Sequence, residues 1–135
     1  MTNSKAADVL IIGAGAAGLS AAVAAHDSGA KVTVIEKGAK LGGTAAISGG
    51  IVWVPSNPSM QEKGIADSRD DALAYFRSLD HGEMSDDSLE AFVDEGAKAL
   101  QFLTERGALD LQLLEGYPDY YLDNPGAKAD GGRAL

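Results

Sequence analysis

The 135-residue chain contains no cysteine. That excludes a disulfide framework, a thiolate nucleophile and any cysteine-ligated metal or iron–sulfur centre. Histidine is scarce: His26 and His81 stand far apart, and each reads as a helix-end or surface residue rather than a ligand. No uninterrupted apolar run approaches the roughly 18 residues that suggest a membrane-spanning helix. Positive charge is short as well, with 11 Lys and Arg against 20 Asp and Glu, a formal net charge of −9. The excess is uneven, because residues 1–50 carry +1 and residues 51–135 carry −10. That balance argues against nucleic acid or an anionic membrane as a partner. The length suits one domain with a core of ordinary size.

Glycine is plentiful, and its placement is informative. From Asp8 to Glu36 the chain reads DVLIIGAGAAGLSAAVAAHDSGAKVTVIE. The apolar run Val9 to Ile12 meets Gly13-x-Gly15-x-x-Gly18, a small-residue helix pattern follows, and a second apolar run, Val32 to Ile35, ends in an acid. This is the dinucleotide-binding βαβ fingerprint with strand, helix and acid all in place. Gly13 permits the tight turn, Gly15 lets backbone approach a pyrophosphate, and Gly18 with the alanines at 16, 17, 21 and 22 lets the helix lie against the sheet. The helix N-terminus, with unpaired N–H groups and partial positive charge, faces the phosphates. Glu36 can accept from both ribose hydroxyls and would repel a 2′-phosphate, which argues against NADP; the plainer reading is a solvated acid at a strand end.

A secretory signal is the rival reading of the same segment, from Lys5 through the apolar stretch to Ala22-Val23-Ala24. Asp8 interrupts the charged lead, three ordered glycines break the apolar stretch, and a second strand follows. The expectation is a soluble, cytoplasmic chain with no membrane span.

Beyond Glu36, the stretch from Lys37 to Gly50 carries the glycine pairs Gly42-Gly43 and Gly49-Gly50, too flexible for ordinary secondary structure unless backbone passes close to a ligand. Ile51 to Val54 reads as a short strand closed by Pro55 and Pro58. Ser68 caps an expected helix with Asp70 and Asp71 in its first turn and Ala72, Leu73, Tyr75, Phe76 and Leu79 on its apolar face. Asp87 with Glu90 makes a capping-box-like start to a second helix, whose Leu89, Phe92, Val93, Gly96, Ala97, Leu100 and Leu103 fall at helical spacing until Gly107. Both faces read as packing surface, without chemistry. Leu109 to Leu114 alternates as a strand with one buried face. The closing GYPDYYLDNPGAKADGGRAL holds three of the four tyrosines in a loop composition.

The fingerprint, together with Leu41 to Gly50, resembles the FAD-binding fumarate reductase/succinate dehydrogenase superfamily, and within it the 3-ketosteroid dehydrogenase branch. Ile51-Val52-Trp53-Val54-Pro55, Asp67-Ser68-Arg69, Ala74-Tyr75 and Tyr117-Pro118-Asp119-Tyr120-Tyr121 look like that branch, so the likeness covers essentially the whole chain. It implies an α/β fold: a Rossmann-like βαβ core and flavin loop in residues 1–50, then a helical segment and tyrosine-rich loop in residues 51–135. The Gly13, Ala14, Gly15, Ala16, Ala17, Gly18 loop would hold the pyrophosphate of FAD, and Glu36, with Lys37 beside it, the adenosine ribose. Gly42, Gly43, Thr44 and Ala45 would line the second phosphate and ribityl chain, and Ser48, Gly49 and Gly50 the isoalloxazine. Members with covalent flavin carry a histidine where alignment on Gly49-Gly50 puts Gly43, so noncovalent FAD is implied.

Tyr120 matches the first tyrosine of the PDYY element, an active-site residue in ketosteroid dehydrogenases. The implied chemistry oxidises a C–C bond beside a carbonyl, with one proton taken by a base and a hydride passed to flavin N5. A tyrosine, at an ordinary pKa of about 10, needs help as a base, and Tyr120 would support a base tyrosine elsewhere in the enzyme. Its alternative is a packing aromatic; Tyr117 and Tyr121 either line the pocket or anchor the loop. Family members run on for several hundred residues, whereas this sequence stops after Gly132-Arg133 within what looks like a continuing motif. A partner chain or the remainder of the enzyme would then supply the other acid/base groups, and the 135 residues alone would be inactive. The expected substrate is small, apolar and steroid-like. Alternatives are a fumarate reductase-like enzyme reducing C=C in a dicarboxylate and a non-catalytic FAD-binding module. A simple NAD-dependent dehydrogenase leaves Gly42 to Gly50 unexplained.

Overall fold

The computed structural model describes residues 6–135; Lys5, of the signal-like lead, lies outside them. The chain divides into two compact units, Met1–Gly50 and Ile51–Leu135.

In the first unit, β1 (Val9–Ile12) and β2 (Val32–Ile35) pair in parallel, Val9 opposite Val32 and Ile12 opposite Ile35, with helix α1 (Ala16–Asp27) as the crossover. Lys31 N–H donates to the Asp8 carboxylate (2.8 Å), tying the start of one strand to the start of the other. α1 follows Gly15, which has no side chain to cap it, so its first N–H groups keep their polarity for something else. The stretch expected to lack ordinary secondary structure departs from that expectation. Gly43–Ile47 forms a 3-10 helix, which Gly42 enters at a φ of 111° that side chains avoid.

The second unit is built on three helices, α2 (Pro58–Glu62), α3 (Arg69–Leu79) and α4 (Asp86–Glu105). α3 starts where the sequence says, with the Ser68 side chain accepting from Asp71 N–H. The start of α4 needs correction: Ser85, not Asp87, caps it by accepting from Ser88 N–H. Glu90 is drawn instead to Arg69 (3.0 Å) and Arg77 (3.2 Å) on α3. Pro58 opens a helix rather than merely closing a strand, since a first-turn proline forfeits no hydrogen bond and Asn57 caps the turn through Met60 N–H. Two apolar clusters hold the unit. Ala72 and Leu73 of α3 meet Leu89 and Val93 of α4, while Leu100 packs with Val54 and Leu135.

Neither expected strand of this unit forms. Ile51 to Val54 is joined to the chain end by one isolated bridge, Trp53 opposite Ala134, although Val52 and Leu135 exchange both backbone hydrogen bonds. Leu109 to Leu114 does bury one side, with Leu109, Leu111 and Leu113 against the Val54 cluster, but no ladder runs beside it. A buried polar knot does the joining. Arg133 reaches Asp67 through two nitrogens (3.0 and 2.7 Å), Asp119 (2.8 Å) and the Gly126 carbonyl (2.9 Å), and all three charged side chains are almost fully buried. Asp67 also accepts from the N–H groups of Ser56 and Ser68, and Asp119 from Trp53 Nε1–H and Lys128 N–H. Among the described residues no buried side-chain polar atom lacks a partner. No helix among them is long and apolar enough to cross a membrane.

Candidate functional site

The glycine motif and Glu36, far apart in sequence, converge in the first unit. Gly13 leaves β1 at a φ of 97°, and its N–H donates to the Ile35 carbonyl (2.7 Å), turning the loop over the end of β2. Glu36 closes the loop from the other side. One carboxylate oxygen accepts from Ala14 N–H (2.9 Å) and the other from Gly38 N–H (2.7 Å). These amides, Ala14 first, hold its carboxyl below the ordinary value of 4.5, and the Lys37 charge adds to the effect. Glu36 thus fixes the loop as well as offering its remaining lone pairs outward.

The three glycines differ in surroundings. A side chain at Gly18 would sit 2.0 Å from the Gly13 carbonyl oxygen, so close helix–strand packing forbids one. At Gly15 a side chain would meet no protein atom within 4 Å. That open space lies against the unpaired N–H groups at the start of α1, where Ala16 and Ala17 form the first turn, and it suits an anion. The second glycine stretch is brought to the same place. Gly42 N–H donates to the Ala14 carbonyl (2.8 Å), and the side-chain position of Gly43 lies 3.4 Å from Gly15 Cα. Thr44 and Ala45 follow in the 3-10 helix. Ser48 donates to the Ala45 carbonyl (2.8 Å) and accepts from Gly50 N–H (3.2 Å), shaping the turn through Gly49.

Tyr120 belongs to the second unit, on the wall of an apolar cavity of about 500 Å³. Of the chain's aromatic residues, all but Phe102 line this cavity. Trp53 stacks on Tyr75 (5.8 Å between ring centroids) and meets Phe76 edge-on (4.8 Å), which in turn meets Phe92 edge-on (5.0 Å). Tyr117, Tyr120 and Tyr121 line the cavity as well. The sequence reading assigned Tyr75, Phe76 and Phe92 to packing alone, and here they are also wall. The signal for this was present: beside the aliphatic Leu79 and Leu89, α3 and α4 carry the rings of Tyr75, Phe76 and Phe92. Among the described residues no Lys, Arg or His lines the cavity. Arg133 lies behind the Trp53 ring (5.2 Å) with its charge already met by Asp67 and Asp119.

Comparison with known proteins agrees with this geometry. Residues 8–131 match the FAD binding domain family. The 4-oxocyclohexanecarboxylate 2-dehydrogenase of Sinomonas cyclohexanicum is 41% identical over 128 residues, 95% of this chain and 22% of that protein. The 3-oxosteroid 1-dehydrogenase of Mycolicibacterium smegmatis is 36% identical over 124 residues, 92% of this chain and 22% of its own length. The crystal structure of the 3-ketosteroid delta1-dehydrogenase from Sterolibacterium denitrificans, in complex with 1,4-androstadiene-3,17-dione, superposes with a TM-score of 0.81 at 42% identity, covering 95% of this chain and 22% of that one. The chain therefore spans about a fifth of the length of the relatives it matches. The open space at Gly15 beside uncapped N–H groups, and the meeting of both glycine stretches there, fit a dinucleotide whose phosphates lie against backbone. The chain belongs to the FAD binding domain family, and its cofactor is FAD.

Proposed function

We propose that these residues form the cofactor-binding start of an FAD-dependent dehydrogenase that oxidises a C–C bond beside the carbonyl of a ketosteroid-like substrate. The observation that carries the substrate class is the cavity: about 500 Å³, walled by aromatic rings and free of cationic side chains. Such a surface takes an apolar polycyclic ketone. A carboxylate-bearing cyclic ketone or a dicarboxylate would leave its charge unpaired there, which sets the fumarate reductase-like reading second.

The backbone of Gly13, Ala14, Gly15, Ala16, Ala17 and Gly18 holds the pyrophosphate, Glu36 the adenosine ribose, with Lys37 adding positive charge nearby. Gly42, Gly43, Thr44 and Ala45 lie along the second phosphate and ribityl chain, and Ser48, Gly49 and Gly50 along the ring system. Binding is noncovalent. Bound FAD supplies the acceptor for the electrons that leave the substrate. Tyr120 presents its hydroxyl to the cavity and assists the transfer of the substrate proton, while the aromatic wall excludes water. The remaining acid/base groups come from outside these 135 residues.

The test is steroid oxidation by the complete enzyme with an artificial electron acceptor. Tyr120→Phe keeps the ring and should lower turnover by about two to four decades, with FAD content unchanged. Full activity in that variant makes Tyr120 a packing residue. Turnover of a dicarboxylate and no ketosteroid moves the protein to the fumarate reductase side. The 135 residues alone should bind the cofactor weakly and show no turnover.

A further inference from the structure

Within the aromatic cavity, Tyr117 and Tyr120 bring two hydroxyl groups together. Their oxygens lie 3.2 Å apart, and their rings meet edge-on with centroids separated by 6.2 Å. The chain between them is anchored. Asp119 accepts from Trp53 Nε1–H (2.6 Å), Arg133 Nη1–H (2.8 Å) and Lys128 N–H (2.9 Å), and its own N–H donates to the Lys128 carbonyl (3.0 Å). Tyr117 N–H donates to the Leu114 carbonyl (3.1 Å). A buried framework, rather than free loop motion, therefore sets where the two rings stand.

Two hydroxyls at this distance share one proton between them, which leaves the acceptor's own O–H to point elsewhere. The bond to Tyr120, then burial, raise the Tyr117 phenol above its ordinary range, as a hydrogen bond between the two hydroxyls requires. Of the other titratable groups on the cavity wall, the Tyr75 oxygen accepts from Tyr121 N–H (3.3 Å) and both Asp119 oxygens face the framework, which leaves the Tyr121 phenol as the remaining one. We infer that Tyr117 is a positioning residue, whose hydroxyl, hydrogen-bonded to that of Tyr120, holds the Tyr120 hydroxyl in place at the cavity wall. The inference rests on the reading of Tyr120 above, but not on which ketone is bound.

Two measurements on the complete enzyme test it. Carbon NMR of ring-labelled tyrosine, assigned through single substitutions, follows the ionisation of Tyr117. In Tyr120→Phe it should fall back toward about 10, and an unchanged titration overturns the pairing. In steroid turnover, Tyr117→Phe should lower kcat about threefold to tenfold with KM little changed, the size of one lost neutral hydrogen bond. Added to Tyr120→Phe, it should cost nothing more, because the hydroxyl it positions is gone. Losses that multiply in the double variant overturn the positioning role. If the unaltered enzyme turns over no ketosteroid, the substrate reading fails, while the NMR titration still decides the pairing.

Discussion

Gly15 and Gly18 stand three residues apart in one motif, and their substitutions should fail differently. An added Cβ at Gly15 points into open space at an ordinary φ of −79°. Gly15→Val should therefore fold and lose FAD, a combination read by circular dichroism beside flavin fluorescence. At Gly18 the same carbon lands 2.0 Å from the Gly13 carbonyl oxygen. Gly18→Ala should destabilise the first unit by about 3 kcal/mol, as overpacking against backbone does, and binding should fall only as a consequence. Glu36 combines both jobs. Glu36→Ala should lower FAD affinity by about one to two decades and leave FMN, which lacks the adenosine half, nearly untouched. Its carboxyl is held below 4.5 in the folded chain, so its contribution is complete above that value and is lost as pH falls through the lower folded one. FAD retention should weaken on that acid limb, and Glu36→Gln should flatten the dependence. Equal retention across the limb in the unaltered chain would count against the role.

At the level of elements, helix α4 offers a direct check on which residue caps it. Ser85→Ala should cost about 1 kcal/mol in denaturant unfolding, and Asp87→Ala clearly less, because only Ser85 accepts from an orphan N–H of the first turn. The sequence pattern misplaced that start by two residues: Asp87 and Glu90 have capping-box spacing, and nothing local reveals that Arg69 and Arg77 draw Glu90 away. The βαβ core was readable because its signal is local, a period-specific apolar run on either side of three glycines. Ile51 to Val54 and Leu109 to Leu114 misled for the complementary reason. Alternation reports that one side is buried, as Leu109, Leu111 and Leu113 are, but a ladder needs a neighbour supplied from elsewhere. The turn at Gly13 and the close packing at Gly18 were thus legible in the motif. The cavity was not, since Trp53, Phe76 and Tyr117 meet only after the chain end returns to Trp53.

Taken whole, the chain distributes its burial unevenly. Among the described residues of the first unit only Ala14 is buried, and Ile12 is 81% exposed, whereas the second unit holds both apolar clusters and the Arg133 knot. A two-stranded sheet is marginal by itself. Amide exchange should accordingly be slowest in residues 51–135, and saturating FAD should slow it most in residues 6–50 by mass action. Replacing Arg133 with Met should cost the second unit about 3–5 kcal/mol, because two buried carboxylates lose their counter-charge. A loss below about 1 kcal/mol would show that Asp67 and Asp119 find water or protons instead. The knot also constrains how this protein can change over generations. A single step that removes one of its charges strands a partner out of reach of solvent. Across relatives, positions 67, 119 and 133 should vary as a set or stay fixed, while exposed pairs such as Arg77 with Asp86 drift freely.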